Sequence, residues 1–182
     1  SQTATPNRCS QTSLNVVARL CHSNTSLSTH TPTHCALSMN HLSTESHVSH
    51  LQGDAGQLVV YDWPATALAD APKPLGTVLV VHGLGEHAGR HAHLATLLNS
   101  WGFSVRAYDQ QGHGRSEGAR GDLLRPGSLQ ADLCRVIDDT RQHKARASSP
   151  LILLGHSMGG LVVARALAER LRPVDAAILS SP

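Results

Sequence analysis

Ser157 is the residue whose surroundings in the sequence most clearly indicate chemistry. It stands at the centre of GHSMG, residues 155–159, which matches the G-x-S-x-G turn that raises a serine above the carboxyl end of a strand. A serine hydroxyl attacks a carbonyl carbon once a base removes its proton, and a covalent acyl-enzyme then forms. The two glycines are expected because a side chain at either position would keep the strand and the following helix apart. The pattern therefore predicts nucleophilic acyl transfer.

A second segment predicts the oxyanion hole that such a serine needs. The attacked carbonyl oxygen becomes negatively charged, and N–H donors already in place must stabilise it. In this type of turn one donor is the backbone N–H of the residue after the nucleophile, here Met158. The other donor comes from the loop after the apolar strand at residues 76–81, where HGLG occupies residues 82–85. Leu84 is the candidate for that second N–H.

Three polar side chains near this loop are expected to have structural roles. We expect His82 and His113 to bind loop backbone, and Glu86 to hold the oxyanion turn in shape. His87 and His91 are four residues apart, which suggests zinc, but the signature H-E-x-x-H requires the glutamate after the first histidine. Here Glu86 precedes His87, so the zinc signature is not present. We therefore predict that the protein binds no metal and no cofactor.

The elements that must position these residues alternate between apolar strands and amphipathic helices. Strands are predicted at residues 46–51, 57–63, 76–81, 103–108, 151–154 and 174–179. Helices are predicted at residues 91–101, 128–146 and 158–171, with Ser128 as the N-cap of the second. After an opening hairpin, this alternation predicts a mostly parallel sheet with helices on both faces, in the α/β class.

Composition limits the class of protein. The 182 residues are 40% hydrophobic and carry a net charge of +2, with no apolar run long enough to cross a bilayer. No basic run is present, so we predict no nucleic-acid partner. The four cysteines lack C-x-x-C spacing, which argues against a disulfide framework or a zinc site. We expect Cys134 to be a small buried apolar residue, and the protein to be cytoplasmic, with membrane association left open.

Residues 1–45 differ from the rest of the chain. Serine and threonine are frequent there, and no acidic residue occurs before Glu45. We predict that this segment is disordered and that Met39 is the natural start, which would make the preceding residues non-native. The alternative is an organellar transit peptide in residues 1–38. The histidines of this segment lack metal-ligand spacing, and the folded domain is expected at residues 46–182.

Three motifs in this order and spacing resemble a known family. They are VVHGLGEHAGRH, YDQQGHGRSEGARG and LLGHSMGG, and they resemble the α/β-hydrolase family of monoacylglycerol lipases and lysophospholipases. The resemblance covers about residues 53–182 and implies the α/β-hydrolase fold. It implies a monoacylglycerol, a lysophospholipid or a similar carboxylic ester as substrate. Ser157 would attack the ester carbonyl, and water would then release the acyl group.

The other members of the catalytic triad are not found in this sequence. In this fold an acid and then a histidine follow the serine, yet the last histidine is His156. Glu169 and Asp175 lie on the next helix and at the start of the last strand, away from the catalytic edge. We therefore expect an N-terminal fragment, truncated before the lid and the last strands, with little or no esterase activity. Peripheral membrane contact through the absent lid and the oligomeric state stay open.

Two other functions remain open on these residues. One is a different acyl-transfer or hydrolytic enzyme of the same fold, such as a thioesterase, a peptidase or a haloperoxidase-like enzyme. The other is a pseudo-enzyme or binding module that keeps the serine turn without a triad. An aspartate and then a histidine beyond Pro182 would favour an enzyme, whereas a stop codon there would favour the non-catalytic protein.

Overall fold

The structure is a computed structural model that describes residues 46–65, 73–143 and 146–182. Within these ranges lie six strands: β1 (His47–Gln52), β2 (Gln57–Trp63), β3 (Gly76–Val81), β4 (Phe103–Tyr108), β5 (Leu151–His156) and β6 (Ala176–Ser180). The same ranges contain three α-helices: α1 (Ala92–Ser100), α2 (Ser128–Gln142) and α3 (Met158–Ala168). A short 3₁₀ helix, Ala88–His91, precedes α1. The predictions made for residues 1–45 lie outside the described residues.

The six strands form one sheet in the order β1-β2-β4-β3-β5-β6. β1 and β2 form the predicted antiparallel hairpin, and β2 is also antiparallel to β4. The strands β4, β3, β5 and β6 are parallel to one another. The predicted mostly parallel α/β sheet is therefore confirmed. Because the carboxyl ends of parallel strands meet at one edge, the loops after β3, β4 and β5 lie near one another.

Helices cover both faces of the sheet, as predicted. On one face α1 packs against β-strand side chains that include Val78 and Val80. On the other face α2 and α3 pack against side chains that include Leu79 and Val81. Successive residues of a strand point to opposite faces, so a strand covered on both sides is mostly apolar. This burial explains the unbroken apolar run at residues 78–81 of β3.

The ends of the helices are where the sequence-based predictions are wrong. Ser128 is the first residue of α2 rather than its N-cap, because Gly127 occupies the cap position with φ 83° and no side chain caps the helix. The helix ends at Gln142, before the expected residue 146, because the next residue has extended backbone with ψ 115°. Similarly, α3 ends at Ala168, before the expected residue 171, because Arg170 turns left-handed at φ 51°.

Apolar side chains are exposed at one edge of the sheet. β6 is an edge strand of the described sheet, and its Ile178 and Leu179 side chains are 51% and 43% exposed. Cys134 is buried on α2, as predicted. In the part of the chain that the structure describes, no helix is both long enough and apolar enough to span a bilayer.

Candidate active site

Ser157 occupies the strained turn that its motif predicts. It connects β5 to α3 with φ 49° and ψ −121°, a backbone conformation that residues with a β-carbon rarely adopt. Its N–H donates a hydrogen bond to the carbonyl of Ser180 at 2.9 Å, and its own carbonyl accepts from the N–H of Leu161 at 3.2 Å. The neighbouring strand and the following helix thus hold the serine in this conformation.

The glycines of the motif allow the close packing that was predicted for them. A β-carbon on Gly155 would lie 2.6 Å from the carbonyl oxygen of Gly159. A β-carbon on Gly159 would overlap the carbonyl oxygen of Val81 at the end of β3. Side chains at these two positions would therefore push α3 away from β5 and β3.

The loop after β3 reaches the nucleophile. A β-carbon on Gly83 would lie only 3.2 Å from the β-carbon of Ser157. Met158 is the first residue of α3, so its N–H has no carbonyl one turn earlier within the helix to bind. Among the described hydrogen bonds, none uses the N–H of Leu84 as donor. The assignment of these two N–H groups to an oxyanion hole stays a prediction.

Glu86 holds this loop, as predicted. Its carboxylate accepts a hydrogen bond from the N–H of Gly83 at 2.9 Å. That bond is the main cause that lowers the pKa of Glu86, and nearby positive charge adds to the effect. Arg90 and His91 lie 3.8 and 3.9 Å from the same carboxylate. Glu86 is therefore ionised and shapes the turn next to Ser157.

His82 is a structural histidine, which confirms its expected role. Its side chain is fully buried, and the N–H of Gln110 donates to its Nε2 at 3.0 Å. Nε2 is then the acceptor, so Nδ1 carries the hydrogen and donates to the carbonyl of Gly83 at 2.8 Å. Burial lowers the pKa of His82 from 6.5 to about 4. The imidazole is therefore neutral near pH 7, with both nitrogens occupied.

His113 also fixes a loop, as expected. It is buried, and its Nδ1 donates to the carbonyl of Gln111 at 2.9 Å. Its ring centre lies 5.4 Å from that of His82. The two histidines therefore lie side by side beneath the loops after β3 and β4.

Asp109 organises the site, a role that no motif in the sequence predicted. It follows β4, is fully buried, and accepts hydrogen bonds from the N–H groups of Ala88 and Arg115 at 2.7 and 2.8 Å. The hydroxyl of Tyr61 lies 3.2 Å from the same carboxylate. An acidic residue directly after a predicted strand was the available signal, because a carboxylate buried at the edge of the sheet must find donors there.

The two acids after Ser157 lie away from it, as predicted. The carboxylate of Asp175 accepts the N–H of Leu151 at 2.7 Å, and Leu151 begins β5, at the end of that strand opposite to the nucleophile. Glu169 pairs with Arg165 on the surface of α3. Within the described residues, no histidine is hydrogen-bonded to the hydroxyl of Ser157. The described residues also contain no group of three or more metal-ligating side chains that could hold an ion.

A family profile described as "Serine aminopeptidase, S33" matches residues 72–182 of this sequence. The chain belongs to this family of α/β hydrolases. Its serine turn and the glycine-rich loop after β3 both lie within the matched residues. The expected relationship to α/β hydrolases is therefore confirmed.

The sequence of this chain is similar to those of several lipases. It is 37% identical over 136 residues to a monoacylglycerol lipase of Mycolicibacterium smegmatis, across 71% of this chain and 44% of the relative. It is 40% identical over 119 residues to the monoglyceride lipase of Rattus norvegicus, across 60% of this chain and 37% of the relative. The chain thus spans less than half the length of these relatives.

Solved structures agree with the fold. A thermostable carboxyl esterase from Bacillus coagulans superimposes with a TM-score of 0.64 at 26% identity, across 74% of this chain and 43% of the esterase. A monoglyceride lipase from Saccharomyces cerevisiae gives the same TM-score of 0.64 at 21% identity, across 74% of this chain and 44% of the lipase. At that identity the yeast enzyme supports the fold alone.

Proposed function

We propose that the whole protein hydrolyses carboxylic esters of monoacylglycerols or lysophospholipids through an acyl-enzyme on Ser157. The observation that carries this proposal is the contact between the strained serine turn and the loop at Gly83, with 3.2 Å between the Ser157 β-carbon and a β-carbon placed on Gly83. The names of the similar proteins, monoacylglycerol lipase and monoglyceride lipase, support the choice of substrate.

In this proposal Ser157 attacks the ester carbonyl carbon while its proton passes to a base. The carbonyl oxygen becomes negatively charged, and the N–H groups of Leu84 and Met158 stabilise it. The alcohol leaves with a proton, and water then attacks the acyl-enzyme to release the carboxylic acid and regenerate the serine. His82 cannot be the base, because both of its ring nitrogens are already engaged in hydrogen bonds.

A peptidase is the second candidate, because the matching family is described as a serine aminopeptidase. The same serine turn and oxyanion donors would serve amide hydrolysis as well as ester hydrolysis. The two candidates differ in the bond that is broken, so substrates that differ in that bond separate them.

The test uses the product of the full open reading frame that encodes these residues. The rate of hydrolysis is measured with a monoacylglycerol, a lysophospholipid, an acyl thioester and an aminoacyl anilide. The Ser157→Ala variant is the control for each substrate. Ester turnover that disappears in the variant supports the proposal. Faster turnover of the thioester or the anilide favours the other enzymes, and a wild-type protein inactive on all four contradicts the proposal.

A second arm tests the 182-residue chain itself. We propose that it turns over esters slowly or not at all, because no histidine follows Ser157 in this sequence and the serine has no described base. Turnover of a p-nitrophenyl ester at a rate lost on Ser157→Ala would contradict this expectation. A lipid-ester partner, a cytoplasmic location and membrane contact through a lid also remain proposals for the whole protein.

A further inference from the structure

Gln110 binds His82 in two ways. It follows Asp109 at the end of β4, and its side chain is fully buried. Its backbone N–H donates to His82 Nε2 at 3.0 Å, and its side-chain Nε2–H donates to the His82 carbonyl at 2.6 Å. One residue therefore binds both the ring and the main chain of His82.

The imidazole of His82 in turn binds the peptide group between Gly83 and Leu84. With Nε2 of His82 engaged as an acceptor, its Nδ1–H donates to the carbonyl oxygen of Gly83 at 2.8 Å. That oxygen belongs to the same planar peptide as the N–H of Leu84. In a trans peptide the C=O and the N–H point in opposite directions. Holding the Gly83 carbonyl therefore sets the direction of the Leu84 N–H.

A separate contact holds the preceding peptide group. The N–H of Gly83 belongs to the peptide that joins it to His82, and that N–H is bound by the carboxylate of Glu86 at 2.9 Å. The C=O of this same peptide is the His82 carbonyl, so the side chains of Gln110 and Glu86 hold the peptide at its two ends. The His82 imidazole, whose Nε2 accepts from the Gln110 backbone N–H, holds the next peptide, which carries the proposed oxyanion donor.

We propose that Gln110 is a positioning residue for the oxyanion hole, which acts through His82 to aim the N–H of Leu84. This inference rests on the proposed function, since it takes Leu84 as an oxyanion donor. Gln110 itself does not touch the substrate. Its backbone N–H keeps His82 in the Nδ1–H tautomer, and its side-chain amide keeps the His82 carbonyl, and with it the ring, in place.

The first test compares Gln110→Met with Gln111→Met in the full open reading frame product. Gln111 is a matched control because it is equally buried, at 1% exposure, while its side-chain amide lies 3.4 Å from the carbonyl of Asp122 instead of near His82. In Gln110→Met the Leu84 N–H should point away from the oxyanion, which should lower kcat on a p-nitrophenyl ester by about tenfold to a hundredfold. The KM should change less than about twofold, because the lost interaction exists only in the transition state.

We expect Gln111→Met to retain kcat within about twofold of the wild type. A Gln110→Met enzyme that keeps wild-type kcat, or equal losses in the two variants, would overturn the proposal. If the proposed function is wrong, the result differs. The wild type would hydrolyse the nitrophenyl ester but no lipid ester, and Gln110→Met would still have a lower kcat than Gln111→Met.

A second variant gives a signature in the pH profile. In Gln110→Glu only the protonated carboxyl can donate to the His82 carbonyl, and burial next to that carbonyl favours the protonated form. The ratio of its kcat to that of the wild type should therefore rise as the pH falls from about 8 to about 5. Asp109, His82 and His113 are titratable neighbours, and the same ratio for Gln111→Glu corrects for them. A ratio independent of pH would overturn the proposal.

The third test needs neither activity nor a substrate. Nitrogen-15 NMR of the histidine-labelled full open reading frame product reports the tautomer of each imidazole. We expect neutral His82 in the Nδ1–H form near pH 7 in the wild type and in both variants, because the backbone N–H of residue 110 is retained. Loss of the side-chain bond to the His82 carbonyl should displace the His82 signals in Gln110→Met and leave them unchanged in Gln111→Met. An Nε2–H tautomer in the wild type, or unchanged His82 signals in Gln110→Met, would overturn the proposal even if no ester were hydrolysed.

Discussion

Gly83 lies directly against Ser157, because a β-carbon on Gly83 would be 3.2 Å from the Ser157 β-carbon. The loop after β3 and the turn after β5 therefore lie so close that a methyl group on Gly83 would fit only if its neighbours moved by a few tenths of an ångström. This contact brings the predicted oxyanion loop to the nucleophile. It also makes Gly83 the most direct place to disturb the site without unfolding the chain.

Gly83→Ala should slow the reaction of Ser157 more than it destabilises the protein. The new methyl group would lie 3.2 Å from Ser157 and 3.1 Å from the Glu86 carboxylate. Movements of a few tenths of an ångström can relieve these contacts, so we expect less than about 1 kcal/mol of lost stability. The rate at which an organophosphonate labels Ser157 in the full open reading frame product should fall about tenfold.

Gly85→Ala is the control for this substitution. Its β-carbon would meet no atom within 4 Å, but its φ of 71° is strained for alanine. We therefore expect a loss of about 1 kcal/mol in the free energy of unfolding and a smaller effect on labelling than Gly83→Ala. The opposite pattern in the two variants would contradict the steric explanation.

Ser157→Gly should be more stable than Ser157→Ala. Ser157 has φ 49° and ψ −121°, where a β-carbon is unfavourable and glycine is not. We expect the glycine variant to exceed the alanine variant by about 1 kcal/mol in the free energy of unfolding, measured in urea. An alanine variant that is equally or more stable would show that the turn stores little strain. Both variants should lose organophosphonate labelling.

His82 should make folding stability depend on pH. Its pKa falls from 6.5 to about 4 on folding, mainly because it is buried. The unfolded chain then binds more protons between these values, so stability is lost as the pH falls from 6.5 towards 4. The loss attributable to His82 should be about 3 kcal/mol.

His82→Gln isolates this contribution. The difference in unfolding free energy between about pH 7 and about pH 4 should be larger in the wild type than in the variant. Some dependence should remain in the variant, because burial also lowers the pKa of His91. Equal pH dependence in the two proteins would mean that His82 does not stay neutral in the folded state.

Asp109→Asn should be strongly destabilising. The carboxylate accepts from the N–H groups of Ala88 and Arg115 and lies 3.2 Å from the Tyr61 hydroxyl. Asparagine offers one acceptor oxygen and turns an amide NH₂ towards the remaining donors. We expect a loss of about 3 kcal/mol in the free energy of unfolding.

Asp138→Asn provides the comparison for Asp109→Asn. The Asp138 side chain is 42% exposed and pairs with Arg172, so its substitution should cost less than about 1 kcal/mol. Urea denaturation of both variants measures the contrast. Similar losses would show that the hydrogen bonds of Asp109 do not stabilise the fold as their burial indicates.

Local patterns in the sequence predicted most of the strands. β3 and β5 are covered on both faces of the sheet, so their apolar runs are visible without any knowledge of the partners. The ends of the helices were less predictable, as Ser128 illustrates. Its side chain suits an N-cap, but the left-handed backbone of Gly127 makes Gly127 the cap, so α2 starts one residue earlier than an N-cap at Ser128 requires.

The sequence by itself determined that Ser157 stands in a nucleophile turn, because that turn depends on residues 155–159 and the apolar strand before them. The tertiary structure alone decided that Gly83 lies against Ser157 and that Gln110 binds His82. These contacts join segments far apart in the chain, and they depend on the strand order that places β3 between β4 and β5. The neutral state of His82 likewise follows from burial, which only the packed sheet and its loops provide.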